Sequence, residues 1–109
     1  MKEKYRVKDR IEFQKIYREG TLIKSDTISL RYLPNNLGFA RVGISVPTKS
    51  GNAVIRNKIK RQIRAILAHD MNFVQPVDVI LVVRKSYDVS DYRKTESDIK
   101  ELLKKVGNL

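Results

Sequence analysis

Four basic side chains and one amide carry the most pointed chemistry in this sequence. Arg56, Asn57, Lys60, Arg61 and Arg64 lie within nine residues. At about 100° per residue on a helix they share one arc. Ile55, Ile59, Ile63 and Ile66 form a separate stripe beside it. Such a helix buries its isoleucines and turns its cations outward. A solvated helical surface normally mixes in Glu for i, i+4 pairing, yet residues 27–69 contain eight Lys/Arg and no Asp or Glu. Clustered like charges repel one another, and a polyanion removes that cost. Arginine's planar fork suits phosphate, and Asn57 can both donate and accept toward a base or a ribose hydroxyl. The plainer alternative is an ordinary amphipathic helix with a solvated basic face.

Other side chains with chemical potential are sparse. The chain has no Cys, so it has no thiolate nucleophile, cysteine-ligated zinc or disulfide. Its one histidine, His69, falls at a predicted helix end, where interaction with the terminal carbonyls is expected. Asp88 and Asp91 are the nearest carboxylate pair and read as a loop residue and a helix cap. This is a poor inventory for a protein nuclease, which needs clustered carboxylates for metal. Phe13 and Tyr17 stand one helical turn apart. They could stack unpaired bases, but taken alone they read first as core packing.

The elements that must hold these residues are legible as periodic segments. At 109 residues, one domain spanning 1–109 is expected. A short helix is predicted at Asp9–Glu19, with Asp9 as N-cap, Gly20 after it, and Phe13, Ile16 and Tyr17 on one face. Thr27–Leu33 and Phe39–Val46 alternate as strands, and Pro34–Gly38 between them reads as the five-residue loop of a hairpin. Thr21–Lys24 leaves room for a further short strand. The basic helix spans Asn52–His69. Residues 77–83 form a nearly continuous apolar run, as expected of a strand covered on both faces. A last helix spans Asp91–Val106, capped by Ser90 or Asp91, with Ile99, Leu102, Leu103 and Val106 inward and Gly107 closing it. The result is an α+β domain with helices packed on a small sheet.

The net charge of +11 points to nucleic acid rather than mere solubility. It is unevenly spread: +3 over residues 1–26, +8 over 27–69, and zero over 70–109. No apolar run approaches the roughly 18 residues that span a bilayer, and no signal-peptide core follows the N-terminus. A soluble, cytoplasmic protein with no membrane role is expected.

The run Arg41-Val42-Gly43-Ile44-Ser45-Val46, then Lys49, then Gly51-Asn52-Ala53-Val54-Ile55-Arg56-Asn57-Lys58-Ile59-Lys60-Arg61-Gln62-Ile63-Arg64 resembles the characteristic block of the bacterial ribonuclease P protein component. Glu12–Gly20 is similar to that family's first helix, and Val79–Lys85 to its last strand, so the likeness covers nearly the whole chain. It implies an α-β-β-β-α-β-α sandwich of the ribosomal-protein-like type with a left-handed β-α-β crossover. It also implies a subunit of an endoribonuclease whose chemistry is carried by RNA, with Mg²⁺ held mainly by that RNA and no catalytic or metal-ligating protein side chain. The implied partners are the catalytic RNA and precursor tRNA, without an obligate protein partner. The implied task is to assist removal of the 5′ leader.

By the same resemblance, Arg56, Asn57, Lys58, Lys60, Arg61 and Arg64 meet the catalytic RNA and nearby leader phosphates. Phe13, Tyr17, Arg31, Lys49, Arg84 and Lys85 belong to a leader cleft between the first helix and the sheet. Three positions depart from the family's pattern. Lys58 replaces an arginine and loses its fork. Thr48 replaces a turn lysine. Arg31 stands where some relatives place a leader-contacting aromatic. Two rival readings remain at this level: a nuclease in its own right, and a structural RNA-binding protein of the ribosomal kind.

Overall fold

The structure is a computed structural model and describes residues 2–107 and 109. Three helices and four strands follow one another as α1 (Arg10–Glu19), β1 (Thr21–Lys24), β2 (Ile28–Pro34), β3 (Arg41–Ser45), α2 (Ala53–Asp70), β4 (Val77–Val83) and α3 (Tyr92–Gly107). The α-β-β-β-α-β-α order expected from the resemblance is therefore present, including the short strand at Thr21–Lys24.

The caps explain where the helices begin. The Asp9 carboxylate accepts from the Ile11 amide at 2.8 Å, Asn52 from Ile55 at 3.0 Å, and Asp91 from Lys94 at 3.2 Å. Each satisfies an amide that has no partner within its own helix. Of the two candidates for the last helix, Asp91 is thus the cap.

The sheet order is β1-β2-β4-β3, which corrects one expectation. β2 and β3 do not form a hairpin, because β4 lies between them. It pairs antiparallel with β2 and parallel with β3. β4, apolar except for Asp78, must be covered on both faces, and the centre of the sheet provides that. The Pro34–Gly38 turn therefore bridges over a strand position instead of closing a two-strand ribbon. Asn35 ties the bridge down, its amide donating to the Pro76 carbonyl at 3.0 Å and its side chain to Asp78 at 2.8 Å. The parallel pair β3 and β4 is joined through α2, giving the β-α-β crossover unit.

The two faces of the sheet are covered unequally. Ile28, Leu30, Val42, Val79, Leu81 and Val83 meet Ile59, Ile63, Ile66 and Leu67 of α2 and Ile99, Leu102 and Leu103 of α3 in one large core. A smaller cluster of Val7, Ile16 and Ile80, flanked by Phe13, Leu33 and Val82, holds α1 on the opposite face. Burying an aliphatic side chain contributes about 1.5–3 kcal/mol. Four fully buried residues on α2 therefore outweigh the repulsion among its cations, about 0.2–0.5 kcal/mol per neighbouring pair.

Candidate nucleic-acid interface

The face of α2 away from the core is open. Asn57, Lys58 and Arg61 are exposed, and Arg56, Lys60 and Arg64 are partly so. Among the described residues none of its five cations pairs with a carboxylate. Four acids of the last third are paired elsewhere: Asp78 with Arg41, Asp70 with His69 and Lys100, Asp98 with Lys94, and Glu101 with Lys105. Arg56 alone is locally fixed, its Nε donating to the Gly51 carbonyl at 3.2 Å. That bond folds it toward the start of the helix, while the remaining cations project freely.

On the far side of the sheet α1 crosses the strands from β3 to β2. Phe13 lies over Gly43, where an added Cβ would come within 2.8 Å of the ring. The missing side chain is what lets the ring reach the strand. Phe13 is half-buried, whereas Tyr17 is 48% exposed. The core-packing reading thus applies in part to Phe13 and little to Tyr17. The Arg31 guanidinium stacks on Tyr17, 3.8 Å from the ring centre, and has no carboxylate partner among the described residues.

The aromatic pair forms one wall of a shallow trough. Strand register places Lys24, Ser29, Val82 and Ser45 in one row on this face, next to the row holding Leu22, Arg31, Ile80 and Gly43. Ser29, Val82 and Ser45 are only partly covered, so the sheet floor is accessible there. Lys8, Arg10 and Gln14 join Phe13 and Tyr17 around a recess of about 380 Å³. Lys8 and Arg10 were not among the expected site residues. Their signal was weak, because they sit in the mixed-charge N-terminal segment and only the fold brings them beside the aromatics. Lys8 is paired with Glu3 at 2.9 Å, which lowers the Glu3 carboxyl from its ordinary range through the Lys8 hydrogen bond and charge.

Lys49, Arg84 and Lys85 gather in a different place from the aromatics. They line a cavity of about 170 Å³ with Pro47, Ser50, Ile59, Val83 and Tyr87. This cavity lies beyond the ends of β3 and β4, between the Thr48–Ser50 turn and the segment after β4. No carboxylate lines it. The residues expected in one cleft thus line two separate recesses, one aromatic and one cationic.

The residues considered for protein-borne nuclease chemistry are not assembled. His69 is exposed, and its Nδ1 lies 2.8 Å from Asp70 Oδ1, so its partner is a carboxylate rather than the helix-end carbonyls anticipated. Asp88 accepts from the amide and hydroxyl of Ser90, bonds that hold its carboxyl below the ordinary range. Asp91 caps α3. Among the described residues no group of three or more His, Cys, Asp or Glu is placed to hold a metal. Among the described residues no helix is long and apolar enough to cross a membrane.

Comparison with known proteins agrees with this architecture. Residues 1–107 match the model of the family described as Ribonuclease P. The ribonuclease P protein component of Streptococcus agalactiae serotype Ia is 38% identical over 107 residues, covering 98% of each chain. That of Mycoplasma mycoides is 39% identical over 108 residues, covering 97% of this chain and 99% of its own. The solved RNase P protein from Thermotoga maritima superposes with a TM-score of 0.82 at 25% identity, covering 92% of this chain and 96% of its own. The Staphylococcus aureus RNase P protein gives a TM-score of 0.80 at 31% identity, with 95% and 96% covered. A match along almost the whole chain, in sequence and in fold, places this protein in the ribonuclease P protein component family.

Proposed function

We propose that this chain binds the catalytic RNA of ribonuclease P through α2 and grips the single-stranded 5′ leader of precursor tRNA in the trough beneath α1. Family membership makes it a part of an endoribonuclease complex in tRNA processing, with RNA as its partner in a ribonucleoprotein. The observation that carries the finer reading is the α2 surface, where five cations and Asn57 face outward with no carboxylate partner among the described residues. Such a surface gains by displacing counterions from a phosphate backbone.

The trough supplies the second half of the task. Phe13 and Tyr17 offer stacking surfaces that tolerate any base, worth about 1–3 kcal/mol per base. Arg31 over the Tyr17 ring and Arg10 beside the same recess offer charge for the backbone. Lys49, Arg84 and Lys85 offer a separate phosphate station at the cationic cavity. A chain held by stacking and charge must be single-stranded, which separates precursor from mature tRNA. The Mg²⁺ that supports cleavage belongs, in this reading, to the RNA. The side chains described here hold, orient and screen the two RNAs, and none of them attacks the phosphodiester.

The test is precursor-tRNA cleavage by a bacterial catalytic RNA, with and without this protein, across a Mg²⁺ series. The protein should stimulate cleavage most at low Mg²⁺ and show little activity alone. Unchanged cleavage at every Mg²⁺ concentration would refute the assignment. Rescue of precursor maturation in cells depleted of their own subunit separates this reading from a structural ribosomal role.

A further inference from the structure

We infer that Glu12 is a positioning residue for the trough, acting through Arg41 and Asp78 to set the rotation of α1. This rests on the reading of the trough as the leader-binding surface.

The two flanks of α1 are held differently. On one, Phe13 packs on Gly43 and Tyr17 stacks with Arg31. On the other, beyond the buried Ile16, an open pocket of about 450 Å³ lies among Glu12, Lys15, Asn35, Leu37 and Arg41. One side chain spans that gap. Arg41 Nη2 donates to Glu12 Oε2 at 2.7 Å and to Asp78 Oδ2 at 2.8 Å, while its Nε donates to Asp78 Oδ1 at 2.9 Å. Asp78 also accepts from Asn35 Nδ2 at 2.8 Å. It lies buried on the central strand, so the anchor is fixed to the middle of the sheet. The Asp78 and Glu12 bonds push the Arg41 guanidinium above even its ordinary value, and the brace keeps its positive charge at any working pH.

Glu12 is placed to act on rotation. It occupies the third position of α1, where a carboxylate commonly folds back onto the start of its own helix. Here it reaches out to another element, and Asp9 provides the cap without it. Glu12 directly precedes Phe13, and Tyr17 follows Phe13 by one turn on the same flank. A helix that loses its brace on one flank rolls about its axis, and both aromatics move together. The large core against α2 and α3 lies on the opposite face of the sheet, which leaves the small cluster around Ile16 and Ile80 as the pivot of that roll.

Glu12→Gln keeps the shape and removes the charge. We expect precursor-tRNA affinity to fall about three- to tenfold, the scale of coupling between contacting residues, with mature-tRNA affinity and melting temperature near parental values. In a Tyr17→Ala background the same substitution should cost clearly less, because much of its effect passes through that ring. In NMR spectra of the free protein, Glu12→Gln should shift the Phe13 and Tyr17 ring signals and leave the Ile63 and Ile99 methyls in place. Loss from Tyr17→Ala with none from Glu12→Gln would overturn the brace and leave the trough reading intact. An equal, additive loss in both backgrounds would overturn it too. No loss from Tyr17→Ala would overturn trough and brace together.

Discussion

The Arg31 guanidinium stands over the Tyr17 ring, its carbon 3.8 Å from the ring centre. One face of the ring is therefore occupied, and the cation is pre-positioned at the edge of the trough with its donors free. Tyr17→Ala should remove a stacking surface and release Arg31. Precursor affinity is expected to fall by about 1–3 kcal/mol, roughly 5- to 150-fold, with little change for mature tRNA. Tyr17 suits this measurement better than Phe13, which also packs on the smaller core. Filter binding of both RNAs at fixed salt decides it, and equal losses for both would assign Tyr17 a structural role only.

On α2 the expected signature is ionic. Replacing Arg61 and Arg64 by Ala should weaken RNA binding and flatten its dependence on salt. Each lost phosphate contact lowers the slope of log K against log salt by about 0.7–0.9. A titration from low to moderate salt reads this directly. An unchanged slope would place both residues outside the interface.

α3 is fastened to the sheet by a buried polar contact. Thr27 Oγ1 donates to Asp98 Oδ2 at 2.6 Å, and both residues are buried. Asp98→Ala leaves the threonine hydroxyl without its acceptor, at a cost of about 1–3 kcal/mol. Asp98→Asn retains an acceptor and should cost less. Urea unfolding of the three proteins tests the order, with RNA binding by folded protein expected to remain intact.

The segment after β4 carries a pH signature. Tyr87 Oη donates to Gln62 Oε1 at 2.8 Å, and Gln62 Nε2 donates to the Val89 carbonyl at 2.8 Å. Burial raises the Tyr87 pKa above its ordinary value. The folded protein thus keeps a proton that the unfolded chain has already lost. The stabilisation is whole below the ordinary tyrosine range and declines as pH rises through it toward the folded value. Tyr87→Phe should cost about 0.5–1.5 kcal/mol at neutral pH and show a shallower alkaline decline than the parent. Unfolding free energies measured from neutral to alkaline pH provide the comparison.

Local features of this fold were readable from the chain, and non-local ones were not. The α2 stripe, its Asn52 cap and its acid-free surface depend on spacing along a single helix, and the helix forms where that spacing places it. The covered strand Val77–Val83 was legible because Asp78 is its single polar residue and its other side chains are apolar on both faces. Its neighbours were not legible. The Pro34–Gly38 turn promises a hairpin to any local reading, yet β4 arrives some forty residues later and takes the position beside β2. Strand order depends on which faces can be buried together, and no window of sequence contains that. The same limit separated Lys49, Arg84 and Lys85 from the aromatics and concealed the brace from Glu12 to Asp78, whose members come from three distant segments.

The central strand is also the sixth of seven elements to leave the ribosome. Until Val83 has emerged, β3 has only the isolated Arg6–Val42 bridge beside it, and β2 can pair only with the four-residue β1. During that interval α2 has no completed surface on which to bury its isoleucines. Most of its stability comes from that burial rather than from intrinsic helicity. Translation therefore sets the order of events: the surface best suited to hold RNA takes shape only once the chain is nearly finished, and a nascent protein stalled before β4 should bind RNA without selectivity.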